Sequence, residues 1–242
     1  MLKNISKIII FFILGIFGGI FADQILWPYF IERPLFYKYR LEQVPVIEKR
    51  EVIIQENTAL TSAIEKVEKV VVAIKTTTAT KKNLEGSGLI VTSDGLIVTL
   101  ADLIPQGSTS DLYIDNEKVP FNVLKKDTKL NLALIKAERS NLSTVSFADL
   151  ENLKLGERVF LVGTEFEKPT IQPQQGVKKI VNEGIIKIFD EESIETNISE
   201  KNTLSGSSLF DIEGNVLGLN TIDTAGKIIS IPITKIKQFA GF

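Results

Sequence analysis

The amino-acid sequence contains no histidine and no cysteine among its 242 residues. Without cysteine, the chain forms no disulfide bond and holds neither an iron–sulfur cluster nor a metal through thiolates. Without histidine, it lacks the most frequent metal ligand in proteins and the most frequent general base in enzymes. Any metal would be held by oxygen ligands, and the spacing of a calcium-binding loop does not occur. We therefore expect neither a metal nor another cofactor.

A run of charge of one sign is also missing. The 28 basic and 30 acidic residues give a formal charge of −2 and are mixed along the chain. With no basic stripe, nucleic acid is not an expected partner. Hydrophobic residues make up 44% of the sequence, which is enough for a sizeable core. The length fits one domain with an appendage, or a domain of two subdomains.

An apolar run, Ile8–Phe21, lies near the amino end and follows Lys3 and Lys7. Its fourteen residues are short for a membrane span, which needs roughly 20, and extension as far as residue 31 supplies the length. The two lysines favour an amino end inside the cell. We predict an uncleaved membrane anchor at residues 1–31 that contacts the membrane through residues 8–31. The chain is then a single-pass membrane protein whose carboxy-terminal domain is extracytoplasmic, in the periplasm or at the cell surface.

Two other interpretations of the apolar run stay open. A cleaved signal peptide prefers small residues at its cleavage site, whereas Ile20 lies two residues before Ala22. A buried core helix fits the length of the run. The residues that follow, 32–56, contain two prolines and many charges, which indicates a stalk or linker.

The rest of the chain has the pattern of short strands separated by turns. In GLIVTSDGLIVT, residues 88–99, the same five residues occur twice around a Ser-Asp pair, which is a strong hairpin signal. Helical patterns are scarce after residue 72. Many short strands at regular spacing predict an all-β sandwich or barrel. The stretch is long for one sandwich, so two small barrels packed together fit better.

Six segments follow one another in this part of the chain: AIEKVEKVVVAI, GSGLIVTSDGLIVT, LNLALIKA, LGERVFLVG, LSGSSLFDIEGNVLGLNT and IISIPI. In this order they resemble the protease domain of the HtrA family of trypsin-like serine proteases. The resemblance covers residues 57–242. It implies an all-β fold of two six-stranded antiparallel β-barrels, the trypsin-like double barrel, here behind an N-terminal transmembrane helix.

The resemblance also assigns the positions of the catalytic groups. In TLSGSSL, Ser205 stands at the position of the nucleophile. In GLIVTLADLI, Asp102 stands at the position of the catalytic histidine, and in NLAL, Asn131 stands at the position of the catalytic aspartate. The backbone N–H groups of Thr203 and Ser205 stand where the family forms its oxyanion hole. A β-branched threonine resists the positive φ that glycine allows there.

These substitutions remove the base that a serine nucleophile requires. Aspartate titrates near 3.9, so Asp102 is a poor proton acceptor for a hydroxyl at neutral pH. Lys201 precedes Ser205 by four residues, but its surroundings predict a solvated loop, and a catalytic lysine needs burial. Loss of the histidine alone lowers kcat by about 10⁶ in subtilisin. On local pattern alone, Ser205 is a turn serine, Asp102 a cap residue and Asn131 a strand-edge residue.

Three functions follow as hypotheses. The favoured one is a membrane-anchored trypsin-like pseudoprotease that binds peptide or protein partners in the cell envelope without cutting them. The second is a serine endopeptidase that uses Ser205 with a base other than histidine. The third is a purely structural envelope component. Since HtrA-like proteases often form trimers, a homo-oligomer is a further expectation of the resemblance.

Overall fold

The computed structural model describes residues 2–32, 56–167 and 176–242. Its contacts divide the chain into two compact units, Met1–Ile53 and Ile54–Phe242. The predicted stalk falls almost entirely outside the described residues.

The first unit is helical. It contains α1 (Leu2–Phe21), which continues as a π-helical stretch at Ala22–Glu32. Within it, Ile9–Trp27 forms a span of 19 residues with a mean hydropathy of 2.2, and none of the span is buried. The length is close to the roughly 20 residues that cross a bilayer. The described part of this unit therefore contains a helix long and apolar enough to span a membrane, and this span is not a buried core helix.

The second unit begins with α2 (Glu56–Val67) and a sheet of seven antiparallel strands. The sheet order is β5-β4-β1-β2-β3-β7-β6. Its strands are β1 (Val71–Thr77), β2 (Asn83–Ile90), β3 (Leu96–Leu100), β4 (Thr109–Ile114), β5 (Glu117–Val119), β6 (Phe121–Asp127) and β7 (Leu132–Ala137). The predicted hairpin at residues 88–99 is confirmed, because β2 pairs with β3 through Gly88 and Thr99.

This sheet has seven strands where six were expected, and the reason is Pro120. The residue has no backbone N–H for the ladder, so one run of chain divides into β5 and β6 on either side of it. β5 pairs with β4 at one edge of the sheet, and β6 pairs with β7 at the other edge. Because only Pro120 separates β5 from β6, the two edges meet there. The sheet is therefore strongly curled, as a half-barrel.

The remaining strands form a closed six-stranded barrel in the order β10-β13-β12-β11-β8-β9. They are β8 (Arg158–Phe166), β9 (Val177–Phe189), β10 (Ile194–Ser199), β11 (Ser208–Asp211), β12 (Val216–Ile222) and β13 (Lys227–Pro232). A helix, α3 (Ile233–Ala240), follows. The all-β, trypsin-like fold class predicted from the sequence is confirmed.

The continuous apolar run of β8 shows how the two halves share their core. Val159 and Leu161 point into the closed barrel, whereas Phe160 and Val162 belong to the cluster that contains the core of the first sheet. Both faces are buried at residues 159–162, so this run is continuously apolar instead of alternating. Phe160 stacks on Phe210 of β11, with ring centroids 5.4 Å apart and both side chains fully buried. The two halves are thereby held as one packed body with a cleft at their junction.

Candidate functional site

The four site residues assigned from the sequence line one cleft. Asp102 and Asn131 come from the first sheet, and Thr203 and Ser205 come from the loop before β11. The cleft has a volume of about 360 Å³. The other residues that line it are Lys82, Asn83, Leu84, Glu85, Leu100, Leu103, Asn202, Thr221 and Ile222. Both halves of the domain therefore contribute to a single concave site, as an enzyme or a peptide-binding protein requires.

Asp102 and Asn131 are in direct contact. Asp102 lies in a 3₁₀ turn that follows β3, and Asn131 precedes β7 with a φ of 54°. The Asn131 Oδ1 atom accepts a hydrogen bond from the Asp102 backbone N–H at 3.0 Å. The backbone carbonyl oxygen of Asn131 accepts a second one from the Ala101 N–H at 3.1 Å. Asparagine tolerates the left-handed conformation that this turn needs. Asn131 thus fixes the backbone of the turn and leaves the Asp102 side chain exposed.

Ser205 is buried, and its hydroxyl is committed to a neighbour in the same loop. Its Oγ atom donates to Oδ1 of Asn202 at 2.9 Å. An amide oxygen accepts a hydrogen bond but does not take up the proton at neutral pH, whereas a neutral imidazole does. The contact therefore orients the hydroxyl toward an acceptor within its own loop.

The backbone N–H of Ser205 is also occupied. Asn202–Leu204 forms a 3₁₀ turn, in which the Ser205 N–H donates to the Asn202 carbonyl oxygen at 3.1 Å. An oxyanion hole needs such donors aimed at the reacting carbonyl. Thr203 lies inside this turn and is not among the described residues with positive φ, as expected of a β-branched side chain. In this arrangement the loop offers no oxyanion donor at Ser205.

Two glycines allow strand β2 to approach the loop. The Ser87 N–H donates to the Ser205 carbonyl oxygen at 2.9 Å, and a Cβ atom on Gly86 would lie 2.6 Å from that same oxygen. Gly206 has a φ of +80°, and a Cβ atom there would lie 2.2 Å from the Ser87 carbonyl oxygen. The Gly-Ser-Gly stretch at 86–88 is therefore part of a strand that holds the Ser205 loop in place.

Residues 86–219 match the family described as the trypsin-like peptidase domain. The chain belongs to the trypsin-like peptidase family. Among curated proteins, it is 30% identical over 158 residues to a probable periplasmic serine endoprotease DegP-like of Chlamydia pneumoniae, covering 60% of this chain and 30% of that protein. It is 33% identical over 164 residues to the serine protease HTR4 of Rattus norvegicus, covering 64% of this chain and 33% of that protein.

These relatives identify the chain as an HtrA-like member of the family, which confirms the resemblance seen in the sequence. The chain spans about a third of the length of the curated relatives it matches. The match covers the first sheet from β2 onward, the Ser205 loop and most of β12. The family therefore accounts for the fold around the cleft.

A buried polar network follows the nucleophile position of this trypsin-like domain. Asn220 donates through Nδ2 to the Ser207 hydroxyl at 2.9 Å and accepts from the Ser230 hydroxyl at 2.5 Å, and all three residues are fully buried. The Gly206 N–H donates to the Asn220 carbonyl oxygen at 2.8 Å. Sequence reasoning missed this network. Its signal was polar residues within otherwise apolar strands, in VLGLNTI and KIISIP.

Neither Lys201 nor Lys179 forms a hydrogen bond with the Ser205 hydroxyl in the described structure. Lys201 is exposed, as its solvated sequence context predicted. Lys179 is exposed as a whole residue, but its ammonium group is drawn in against β1 and donates to the Val71 carbonyl oxygen. Desolvation there lowers the pKa of Lys179 to about 8, against a smaller opposing effect of Asp115 and Glu68. This lysine lines a separate cavity of about 310 Å³ that shares no residue with the Ser205 cleft.

Proposed function

We propose that this chain is a membrane-anchored, catalytically inactive HtrA-type protein that binds peptide or protein segments in the cell envelope. The observation that carries the proposal is the hydrogen bond from the Ser205 hydroxyl to Asn202, in a chain that has no histidine. The serine keeps its position in the fold, but its proton has no base to go to.

Three further features support inactivity. Asp102 occupies the histidine position with an exposed carboxylate, which is too weak a base for a serine hydroxyl. Asn131 occupies the position of the orienting acid and uses its side-chain oxygen to hold a backbone N–H. The Ser205 N–H is bonded within its own loop. Base, orienting group and oxyanion donor are thus missing together, and their effects on catalysis are not independent.

Binding is supported by what the domain retains. The cleft is lined by both halves of the fold and presents side chains of Asn83, Thr221 and Ile222 beside Ser205. Two clusters of buried hydrophobic residues support its walls. A fold that keeps its walls while its catalytic groups are replaced fits a binding role, because sites change more readily than cores.

The proposed location rests on the amino-terminal unit and on the relatives. The span Ile9–Trp27 is unburied and apolar. Lys3 and Lys7 precede it, on the side expected to face the cytoplasm. The relative from Chlamydia pneumoniae bears the word periplasmic in its name. An extracytoplasmic domain held to the membrane by this helix agrees with both.

The test uses the full-length chain in detergent micelles and fluorescently labelled, unfolded casein. We expect a rise in fluorescence anisotropy from binding, with no casein fragments on a gel. Asn83→Trp, which fills the cleft, should weaken binding about tenfold. Its matched control is Asn152→Trp, because Asn152 is an exposed asparagine that lines a different cavity. Casein fragments that disappear with Ser205→Ala would instead identify an endopeptidase, and absence of binding would favour the purely structural role.

A further inference from the structure

The carboxylate of Asp102 lies in the cleft and has no catalytic role in the proposed function. Asp102 lines the cleft with an exposed side chain, and among the described parts of the chain its carboxylate takes part in no ion pair or side-chain hydrogen bond. The Asp102 backbone N–H donates to Oδ1 of Asn131, which holds the turn. The turn therefore presents an unpaired negative charge in a fixed place beside Ser205.

The other two charged residues that line the cleft, Glu85 and Lys82, form no ion pair with Asp102 in the described structure. Glu85 is half-buried and pairs with Lys75 at 3.6 Å. Lys82 is exposed at the cleft and forms no ion pair with Asp102. Two amide oxygens that line the cleft, Oδ1 of Asn131 and of Asn202, already accept hydrogen bonds. A ligand meets a carboxylate and amide oxygens at this end of the cleft.

We propose that the cleft selects peptide segments with a basic side chain, lysine or arginine, whose cation pairs with Asp102. The inference rests on the proposed peptide-binding function and adds a ligand class to it. A cation entering the cleft gains a partner that has none in the free protein, whereas an acidic side chain is repelled. Arginine should be preferred to lysine, since its planar guanidinium engages a carboxylate through two parallel hydrogen bonds.

The test uses three fluorescein-labelled peptides that are identical except for a central arginine, glutamine or glutamate. Binding to the full-length chain in detergent micelles is measured by anisotropy at low and at high salt. We expect the arginine peptide to bind about tenfold more tightly than the glutamine peptide, and the glutamate peptide to bind most weakly. High salt should reduce the difference, because a partly exposed pair is screened.

The controls separate Asp102 from general charge effects. Asp102→Asn should make the arginine and glutamine peptides bind equally, and Asp102→Glu should retain the preference. Glu138→Gln removes an exposed charge outside the cleft and should leave the preference unchanged. Thermal melts establish that each variant is folded.

Three results would overturn the inference, and the third is distinguishable from the first two. Equal binding of all three peptides, or a preference that persists in Asp102→Asn, would reject selection by Asp102 and leave peptide binding intact. Absence of binding by every peptide and by casein would reject the proposed function together with the inference.

Discussion

The Ser205 hydroxyl donates to the side-chain oxygen of Asn202 at 2.9 Å, while the Ser205 backbone N–H donates to the carbonyl oxygen of the same asparagine at 3.1 Å. A serine protease uses these two groups on its substrate, the hydroxyl to attack and the N–H to stabilise the oxyanion. Here both stabilise a 3₁₀ turn of the protein itself. Under the proposed function, the nucleophile position serves as a structural element of the cleft wall.

Restoring the missing groups should restore reactivity in a graded way. The triple variant Asp102→His, Asn131→Asp, Thr203→Gly supplies base, orienting acid and a glycine in the loop. We expect it to react with a fluorophosphonate at Ser205 at a measurable rate, followed by intact mass. Asp102→His alone should react at least about tenfold more slowly, since no carboxylate holds the imidazole in the required tautomer. Equal rates for the single and triple variants would contradict the assignment of Asn131.

The close approach of β2 to the Ser205 loop predicts an unequal cost for two alanine substitutions at positive φ. Gly206 and Gly107 have φ values of +80° and +75°, but only at Gly206 does the added Cβ meet a backbone oxygen, that of Ser87 at 2.2 Å. We expect Gly206→Ala to lower the free energy of unfolding by about 3 kcal/mol or more, and Gly107→Ala by about 1 kcal/mol. Urea denaturation measures both. Similar costs would mean that the loop moves freely away from β2.

Two buried serines in the closed barrel form a second matched pair. Ser230 donates to Asn220 Oδ1 at 2.5 Å, whereas the Ser208 hydroxyl has no hydrogen-bond partner in the described structure. Ser230→Ala should cost about 1–3 kcal/mol, because it leaves a buried acceptor unsatisfied. Ser208→Ala should change stability by less than about 0.5 kcal/mol, or increase it. The free energy of unfolding of each variant is measured by denaturant titration. A larger loss of stability in Ser208→Ala than in Ser230→Ala would contradict the claim that the Asn220 network stabilises the barrel.

Lys179 predicts a rise of stability with pH. Its pKa in the folded protein is about 8, below the value near 10.5 expected in the unfolded chain, chiefly because its ammonium is desolvated. Between these values the unfolded chain binds more protons, so the free energy of unfolding increases with pH across that window. Since the residue is exposed as a whole, solvent screening limits the expected effect to about 1 kcal/mol.

The variant Lys179→Met should remove most of this pH dependence and stabilise the protein at pH 7. The control is Lys178→Met, because Lys178 is an exposed neighbour that pairs with Glu167 at the surface. Denaturant titrations between pH 7 and 10.5 give the slopes. If the free energy of unfolding changes with pH equally in Lys179→Met and in the unchanged protein, the pH dependence arises from other groups.

Much of the fold could be predicted because its signals are local. The repeated apolar run around Ser93 and Asp94 specifies a hairpin through its turn chemistry, and β2 and β3 form it. The resemblance to HtrA-like proteases supplied the double-barrel fold and assigned Asp102, Asn131 and Ser205 to one site, and the structure places all three in one cleft. The seventh strand was missed because the sequence does not show that the runs before and after Pro120 pair with β4 and β7 at opposite edges of the sheet.

The state of the site could not be predicted because it depends on long-range packing and on loop hydrogen bonds. Nothing in the sequence of the loop specifies that Asn202, instead of a more distant residue, receives the Ser205 hydroxyl. The position of the Lys179 ammonium depends on the packing of β9 against β1, which lie 108 residues apart along the chain at this contact. The Asn220 network likewise depends on long-range pairing, because the polar residues within these apolar strands do not show in the sequence which partners they will meet.

The central claim is that Ser205 is an unactivated hydroxyl, and fluorophosphonate labelling tests it most directly. The full-length chain in detergent micelles is incubated with the reagent beside Ser205→Ala, and adducts are read by intact mass after a melt has shown that both proteins are folded. We expect no adduct on either protein. A stoichiometric adduct that is lost in Ser205→Ala would contradict the claim and identify the chain as a serine hydrolase with a base other than histidine.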